Sequence, residues 1–271
     1  MDFLPPTLKK LKGFDELLHK EGLSLDEGIG LQWADSSIAY DQTPYDVLPF
    51  MSPGVDGIHV GLLTDFGKVT DPEEAFVVCV HPMEAPGSLK LLARNPKEFV
   101  DFLYSDRHLM MLYNFMMIES AEQYQAMVDE SDKDYEESLE LAKPRNQVLT
   151  MMKEYMGCER IENIYGYAEE VEASRRKQIV LPTNDGIGVV PFNKTGVNLP
   201  VYAITGDDDI NLDEVQAFFA SASIESKLAF IRDAQYANLI DNQTPLKGFI
   251  MSELKKMGMD GEVERLKSLD W

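Results

Sequence analysis

The chain has 271 residues, 44% of them hydrophobic and 27% charged, enough to bury a substantial core in one large or two small domains. Its net charge of −22 disfavours nucleic-acid phosphates and anionic lipid as partners; it suits a basic protein partner or, equally, serves solubility alone. Two cysteines argue against a disulfide scaffold, no apolar run approaches the length of a bilayer span, and Met1-Asp2-Phe3-Leu4-Pro5-Pro6 lacks the charged-then-apolar form of a leader, so a cytoplasmic setting is expected.

Leu8, Leu11, Phe14, Leu17 and Leu18 recur at helical spacing with charges between them, which predicts an amphipathic helix ending at a Gly22 C-cap. Gly28-Ile29-Gly30-Leu31 with Trp33 reads as a loop leading to a sheet edge. The stretch from Tyr45 to Leu103 is the organising element. Ser52-Pro53-Gly54-Val55-Asp56-Gly57 forces a sharp turn between two apolar runs, with positive φ expected at the glycines and Asp56 expected to bond turn amides. Ile58 to Leu63 alternates as a strand, and Phe76 to His81 forms the next after an acidic connection. A hairpin centred near Thr70 would set Ile58, Val60 and Leu62 against Pro82, Val80 and Val78, and His59 against His81. Ser88 to Ala93 gives a third strand, and Asn95-Pro96 caps and opens a helix carrying Phe99, Val100, Phe102 and Leu103.

The order apolar-Pro-Phe, small-Pro-Gly-x-Asp-Gly-x-His, short strand, acidic loop, strand ending His-Pro-Met, strand, Asn-Pro-capped helix resembles the SUKH superfamily over roughly residues 30–105. That group includes a yeast cell-wall regulator and many bacterial immunity proteins. Here Val55 stands where members often carry a second glycine, and Val60 rather than a bulky aromatic follows His59. The resemblance implies an α+β domain over 1–118, an antiparallel or mixed sheet flanked by helices. It also implies a protein partner, which for the bacterial branch is a toxin domain and for the yeast branch a regulatory assembly. Gly54, Asp56, Gly57 and His59 are the binding candidates in this part.

His108 to Ile118 is apolar almost all round, which predicts a buried helix. From Ser120 to Ala142 the pattern becomes a long acidic helix in which Glu130, Asp132, Asp134, Glu136 and Glu137 have few basic neighbours, so they join the binding candidates. The formal charge is −9 for 1–118, −10 for the helical segment 119–174 and −3 for 175–271. Pro144 is expected to break the helix, Asn146 to cap the next, and a further one to run to about Ala173; Arg175-Arg176-Lys177 reads as a solvated helix end. In 175–271, Ile179-Val180-Leu181, Gly188-Val189-Val190 and Val197-Asn198-Leu199 recur every nine residues as a second small β unit, and helices follow from the Asn211–Glu214 capping box to about Leu269. Gly206 to Asp209 fails as a calcium loop, because Leu212 and Phe218 stand where a glycine and a bidentate glutamate are required.

No nucleophile elbow, zincin helix or phosphate loop is present, and no cofactor is implied. The inferred register would bring His59, Cys79 and His81 to one sheet face with Asp56 nearby, a donor set that zinc accepts. The chain is therefore read as an α+β protein with a helix-rich C-terminal part, acting as a non-enzymatic binding module for a basic protein; a metal-dependent or small-molecule enzyme using the His59 face is the alternative, and a regulatory scaffold a third.

Overall fold

The computed structural model describes residues 4–34, 40–84, 87–137, 139–192, 198–204 and 210–268, with the backbone alone over 134–137 and 139–141. Five antiparallel strands lie in sequence order: β1 (Gln32–Trp33), β2 (Val47–Ser52), β3 (His59–Leu63), β4 (Phe76–Val80) and β5 (Leu89–Ala93). Ahead of them come α1 (Pro6–Lys20) and α2 (Leu25–Ile29). The sheet is followed by α3 (Pro96–Ser105), α4 (Met110–Asn114), α5 (Ala121–Glu137), α6 (Leu139–Met156) and α7 (Ile164–Arg176). The C-terminal part holds α8 (Leu212–Ser221), α9 (Ile224–Tyr236), α10 (Leu239–Asn242), α11 (Thr244–Lys256) and α12 (Asp260–Ser268). This is an α+β fold with a helix-rich C-terminal part.

Local chemistry accounts for most of these boundaries. Asn95 Oδ1 accepts from the Glu98 amide at 2.9 Å with Pro96 behind it, and Asn211 accepts from the Asp213 amide at 3.0 Å. Gly22 takes φ +74° at the end of α1, where its missing Cβ costs nothing. Gly28 and Ile29, read as the start of a loop, instead end a short helix, Leu25–Ile29. Ser24 accepts from the Glu27 amide and donates to the Glu27 carboxylate, a reciprocal cap. Gly28 then sits so close to Val148 that a Cβ would lie 2.3 Å from its Cγ1, which locks α2 onto α6. Pro144 does not end a helix: it lies inside α6, which has already begun at Leu139, where it removes its own i→i−4 bond, and Asn146 is internal.

The Met-rich stretch departs furthest from expectation. Backbone φ is +61° at His108 and +49° at Leu109, so the chain turns there and α4 is short. Met110, Met111, Leu112 and Ile118 enter the core, but Met116 and Met117 face solvent. Of the nine-residue repeats, the first two meet in one antiparallel bridge, Leu181 with Val189, and 198–204 form no strand. Positions 193–197 and 205–209 lie outside the described residues.

Two cores result. One joins α1 and α2, the sheet and α3 to α7; the other joins the C-terminal helices with Leu181 and Val189 and takes two residues from the sheet part, Tyr45 and Phe66. Every residue of β3 and β4 is buried, so both faces of the central sheet are covered.

Candidate functional site

The β2–β3 turn is held as its glycines demand. Gly54 and Gly57 have φ +76° and +68°, and Asp56 between them is also left-handed at +51°. Ser52 braces the turn, donating to the Ile58 carbonyl and accepting from the Gly54 amide, each at 2.9 Å; the expected role of Asp56 in this falls to that hydroxyl, and the Asp56 carboxylate is exposed. A Cβ on Gly57 would meet Tyr40 Cζ at 2.6 Å and Pro82 Cγ at 2.9 Å, so the turn packs between those two rings.

His59 is fully buried. Its Nδ1 lies 2.8 Å from the Gly57 carbonyl, which can only accept, so Nδ1 carries the proton and Nε2 accepts from the Thr43 hydroxyl at 3.1 Å. Burial pushes its pKa below the ordinary histidine value, and the Tyr40 ring stacks 6.0 Å away. Both ring nitrogens are satisfied within the fold. His59 therefore ties the 40–43 segment to the turn.

The β3–β4 register is one residue away from the expected one. His59 pairs with Val80, Val60 with Cys79 and Leu62 with Val77, so Cys79 points to the opposite face from His59, and His81 lies beyond the strand. The connection carries a left-handed turn at Asp65, Phe66 and Gly67 and a 3-10 turn at Pro72–Glu74, and a loop of that length leaves register free to shift. The single face of His59, Cys79 and His81 does not form. Among the described residues no three His, Cys, Asp or Glu side chains stand close enough to hold a metal ion. Burial also holds the Cys79 thiol far above its usual pKa.

What the turn does join is a cavity of about 280 Å³ lined by Asp56, Ile58, His81, Met83, Glu84, Tyr113 and Asn114. His81 Nε2–H donates to the Leu112 carbonyl at 2.8 Å, and its ring meets Phe115 edge-on at 4.8 Å. Burial lowers its pKa as well, so it is neutral near pH 7 with its lone pair on Nδ1. Asn114 donates from its amide nitrogen to the Met110 carbonyl at 3.3 Å. Exposed apolar side chains stand in or beside these lining segments: Met83 in the lining itself, Val55 next to Asp56, Met116 and Met117 shortly after Asn114, and Tyr40 against Gly57 of the turn.

No protein-family model matches this chain, and no curated protein is similar to it in sequence.

The acidic candidates on α5 separate. Glu130 is exposed. Asp132 is only 18% exposed and is held by Arg107 at 2.6 Å and by His108 Nε2 at 2.7 Å, while Arg145 donates to His108 Nδ1 at 2.7 Å; its charge is committed inside the fold. The side chains of Asp134, Glu136 and Glu137 lie outside the described residues. Beside this group Asp106, wholly buried, accepts from the Met111 and Leu112 amides and from the Tyr124 hydroxyl. Desolvation outweighs those donors and lifts its pKa to about 7.

Sequence reasoning missed the largest electrostatic feature. Arg175 is buried rather than solvated: it binds Asp65 bidentately at 2.8 and 2.6 Å, and donates to the Ile187 and Gly188 carbonyls. Arg232, also buried, bridges Asp46 at 2.5 Å and Asp185 at 3.0 Å, and covers the Phe66 ring at 5.0 Å. Through these pairs Arg232 clamps α9 to the residue before β2, while Arg175 ties α7 to the turn after β3 and to the 187–188 backbone. No motif announces them, since the partners are up to 186 positions apart.

Proposed function

We propose that the protein is a non-catalytic binding module whose contact surface is the rim of the cavity at the β2–β3 turn, and that its partner is a basic protein. The observation that carries this is the distribution of exposed apolar residues. Of the eight large hydrophobics exposed among the described residues, Met83, at 75% exposure, lines the cavity, and four more stand beside its lining segments: Val55 next to Asp56, Met116 and Met117 shortly after Asn114, and Tyr40 against Gly57. Scattered surface apolar residues are ordinary, but several gathered on the segments around one depression favour a contact surface, and unbranched methionines adapt to varied partners. Aspartate, glutamate and asparagine at the same place supply a polar complement.

The net charge of −22 supports a cationic partner, since two copies of this chain, a nucleic acid or an anionic membrane would each be repelled. The resemblance of residues 30–105 to the SUKH superfamily supports the same reading, in its immunity branch, with a basic toxin domain as the target. His59, satisfied on both nitrogens, and Cys79 and Cys158, buried thiols with raised pKa, are unsuited to act as base or nucleophile, which favours binding over catalysis at these three residues.

The test is affinity capture from the native organism with cross-linking and mass spectrometry, run in parallel on the wild type and on a Met83→Ser/Met116→Ser/Met117→Ser variant. The partner should be captured by the wild type, cross-link at 40, 55 or 81–84, and bind the variant at least about tenfold more weakly, as expected when apolar side chains at the centre of an interface are removed. Equal affinity for both would sink the proposal.

A further inference from the structure

We infer that the cavity beneath this rim is a receptor for an arginine side chain. This deepens the binding reading above and rests on it for the source of the arginine. The ligand class follows from what the lining groups have left to offer. Asp56 and Glu84 contribute carboxylates, which only accept when ionised. His81 uses its one N–H on the Leu112 carbonyl and offers a lone pair. Asn114 uses its amide nitrogen on the Met110 carbonyl and offers an oxygen. Among the described residues no lysine or arginine lines the cavity. Apart from the Tyr113 hydroxyl, every polar group there is an acceptor, so the complementary ligand is rich in donors and positively charged.

Size and spacing narrow the choice. At about 280 Å³ the space is at the lower edge of cavities that enclose a small organic ligand, roughly 300–1,000 Å³, and suits one long side chain entering from a partner. Asp56 comes from the β2–β3 turn, His81 and Glu84 from the segment after β4, and Asn114 from α4, so the acceptors are contributed by three separate segments. A planar guanidinium carries five N–H donors in a fan, against three on a compact lysine ammonium, and so suits acceptors that arrive from several segments better than a point charge does. Ile58, Met83 and Tyr113 provide an apolar wall for the methylene stem.

The experiment titrates the isotopically labelled full chain with four blocked tripeptides, Ac-Gly-X-Gly-NH2, where X is arginine, lysine, citrulline or norleucine, and follows backbone amide resonances. The arginine peptide should shift the amides of 56–58, 81–84 and 113–114 saturably. Citrulline, of the same shape but without charge, should bind at least about tenfold more weakly, as the loss of charge-assisted hydrogen bonds implies. Asp56→Asn/Glu84→Gln should abolish the arginine shifts while the remaining resonances keep the folded pattern. Lysine binding as tightly as arginine, citrulline binding equally, or shifts confined to the exposed acidic face of α5 would each overturn the proposal. If the methionine variant loses its partner but the arginine peptide does not bind the cavity, the arginine receptor fails and the binding surface stands. If the peptide binds as expected but the methionine variant keeps its partner, the surface fails and the receptor stands.

Discussion

Arg175 and Asp65 meet as a bidentate pair, both out of solvent, although one ends α7 and the other sits in a left-handed turn after β3. Asp65, Phe66 and Gly67 are all left-handed in succession, a conformation that disfavours the first two residues by about 1–3 kcal/mol each. The pair and the insertion of Phe66 beneath Arg232 hold that turn in place. The two cores are fastened where Arg232 of α9 meets Asp46 and where Phe66, next to Asp65, enters the C-terminal core.

Breaking one partner of such a pair leaves the other charge buried alone. Arg175→Met should therefore destabilise the fold by about 3–5 kcal/mol, and the double change Asp65→Leu/Arg175→Met should recover most of it, because the desolvated charge is removed along with its counter-ion. Guanidinium unfolding of the two variants checks this. A double variant no more stable than the single one would show that the pair contributes more than mutual neutralisation.

The pH dependence has a definite sign. Asp46, Asp106 and Asp233 are raised from an ordinary 3.8 to about 6, about 7 and about 6, chiefly by burial. Between those limits the folded chain holds protons that the unfolded chain has released, so these groups make stability fall as pH rises from about 4 to about 7, with no further change above. His59 and His81, with lowered pKa, act in the opposite direction below the ordinary 6.5. Comparing wild type with Asp106→Asn removes the common background: the difference in unfolding free energy should shift by on the order of 3 kcal/mol against the wild type across that window. Parallel curves for the two proteins would refute it.

What was legible in the sequence was what neighbours in the chain decide. The Asn95 and Asn211 caps, the amphipathic first helix and the two positive-φ glycines of the turn each depend on residues within four positions. The Ser24–Glu27 cap was equally local and was masked by the glycines after it. The β3–β4 register was not legible, because a slip of one residue changes no local preference. Arg175 and Arg232 were not legible either: a basic residue near a helix end normally meets water, and only the return of Asp65 and Asp46 from the sheet makes burial tolerable. The cavity combines the turn, the end of β4 and α4, so its membership was a tertiary fact, although Asp56 was marked in advance.

Two glycine substitutions should separate conformational demand from mere flexibility. Gly57→Val places a branched side chain at φ +68° against Tyr40 and Pro82, and should cost about 1–3 kcal/mol. Gly248→Ala, inside α11 with open space around it, should instead stabilise by about 0.5–1 kcal/mol. Thermal midpoints read both, and a neutral Gly57→Val would mean that the turn has another conformation available.

The acidic helix divides into a part for the fold and a part for encounter. Asp132 is engaged by Arg107 and His108, so Asp132→Asn should lower stability and leave partner association largely unaltered. Glu130 is exposed, and with Asp134, Glu136 and Glu137 it belongs to the segment of charge −10 at 119–174. Such a field raises the rate at which a basic partner arrives, and salt shortens its reach to about 8 Å at physiological ionic strength. Changing those four carboxylates to Asn or Gln should slow association at low salt by about tenfold, leave dissociation nearly constant and hold the unfolding midpoint within experimental scatter. Stopped-flow association at two ionic strengths makes the measurement. Rates that match the wild type at low salt would assign the acidity of this helix to solubility, and would leave partner recognition to the methionine rim and the cavity beside it.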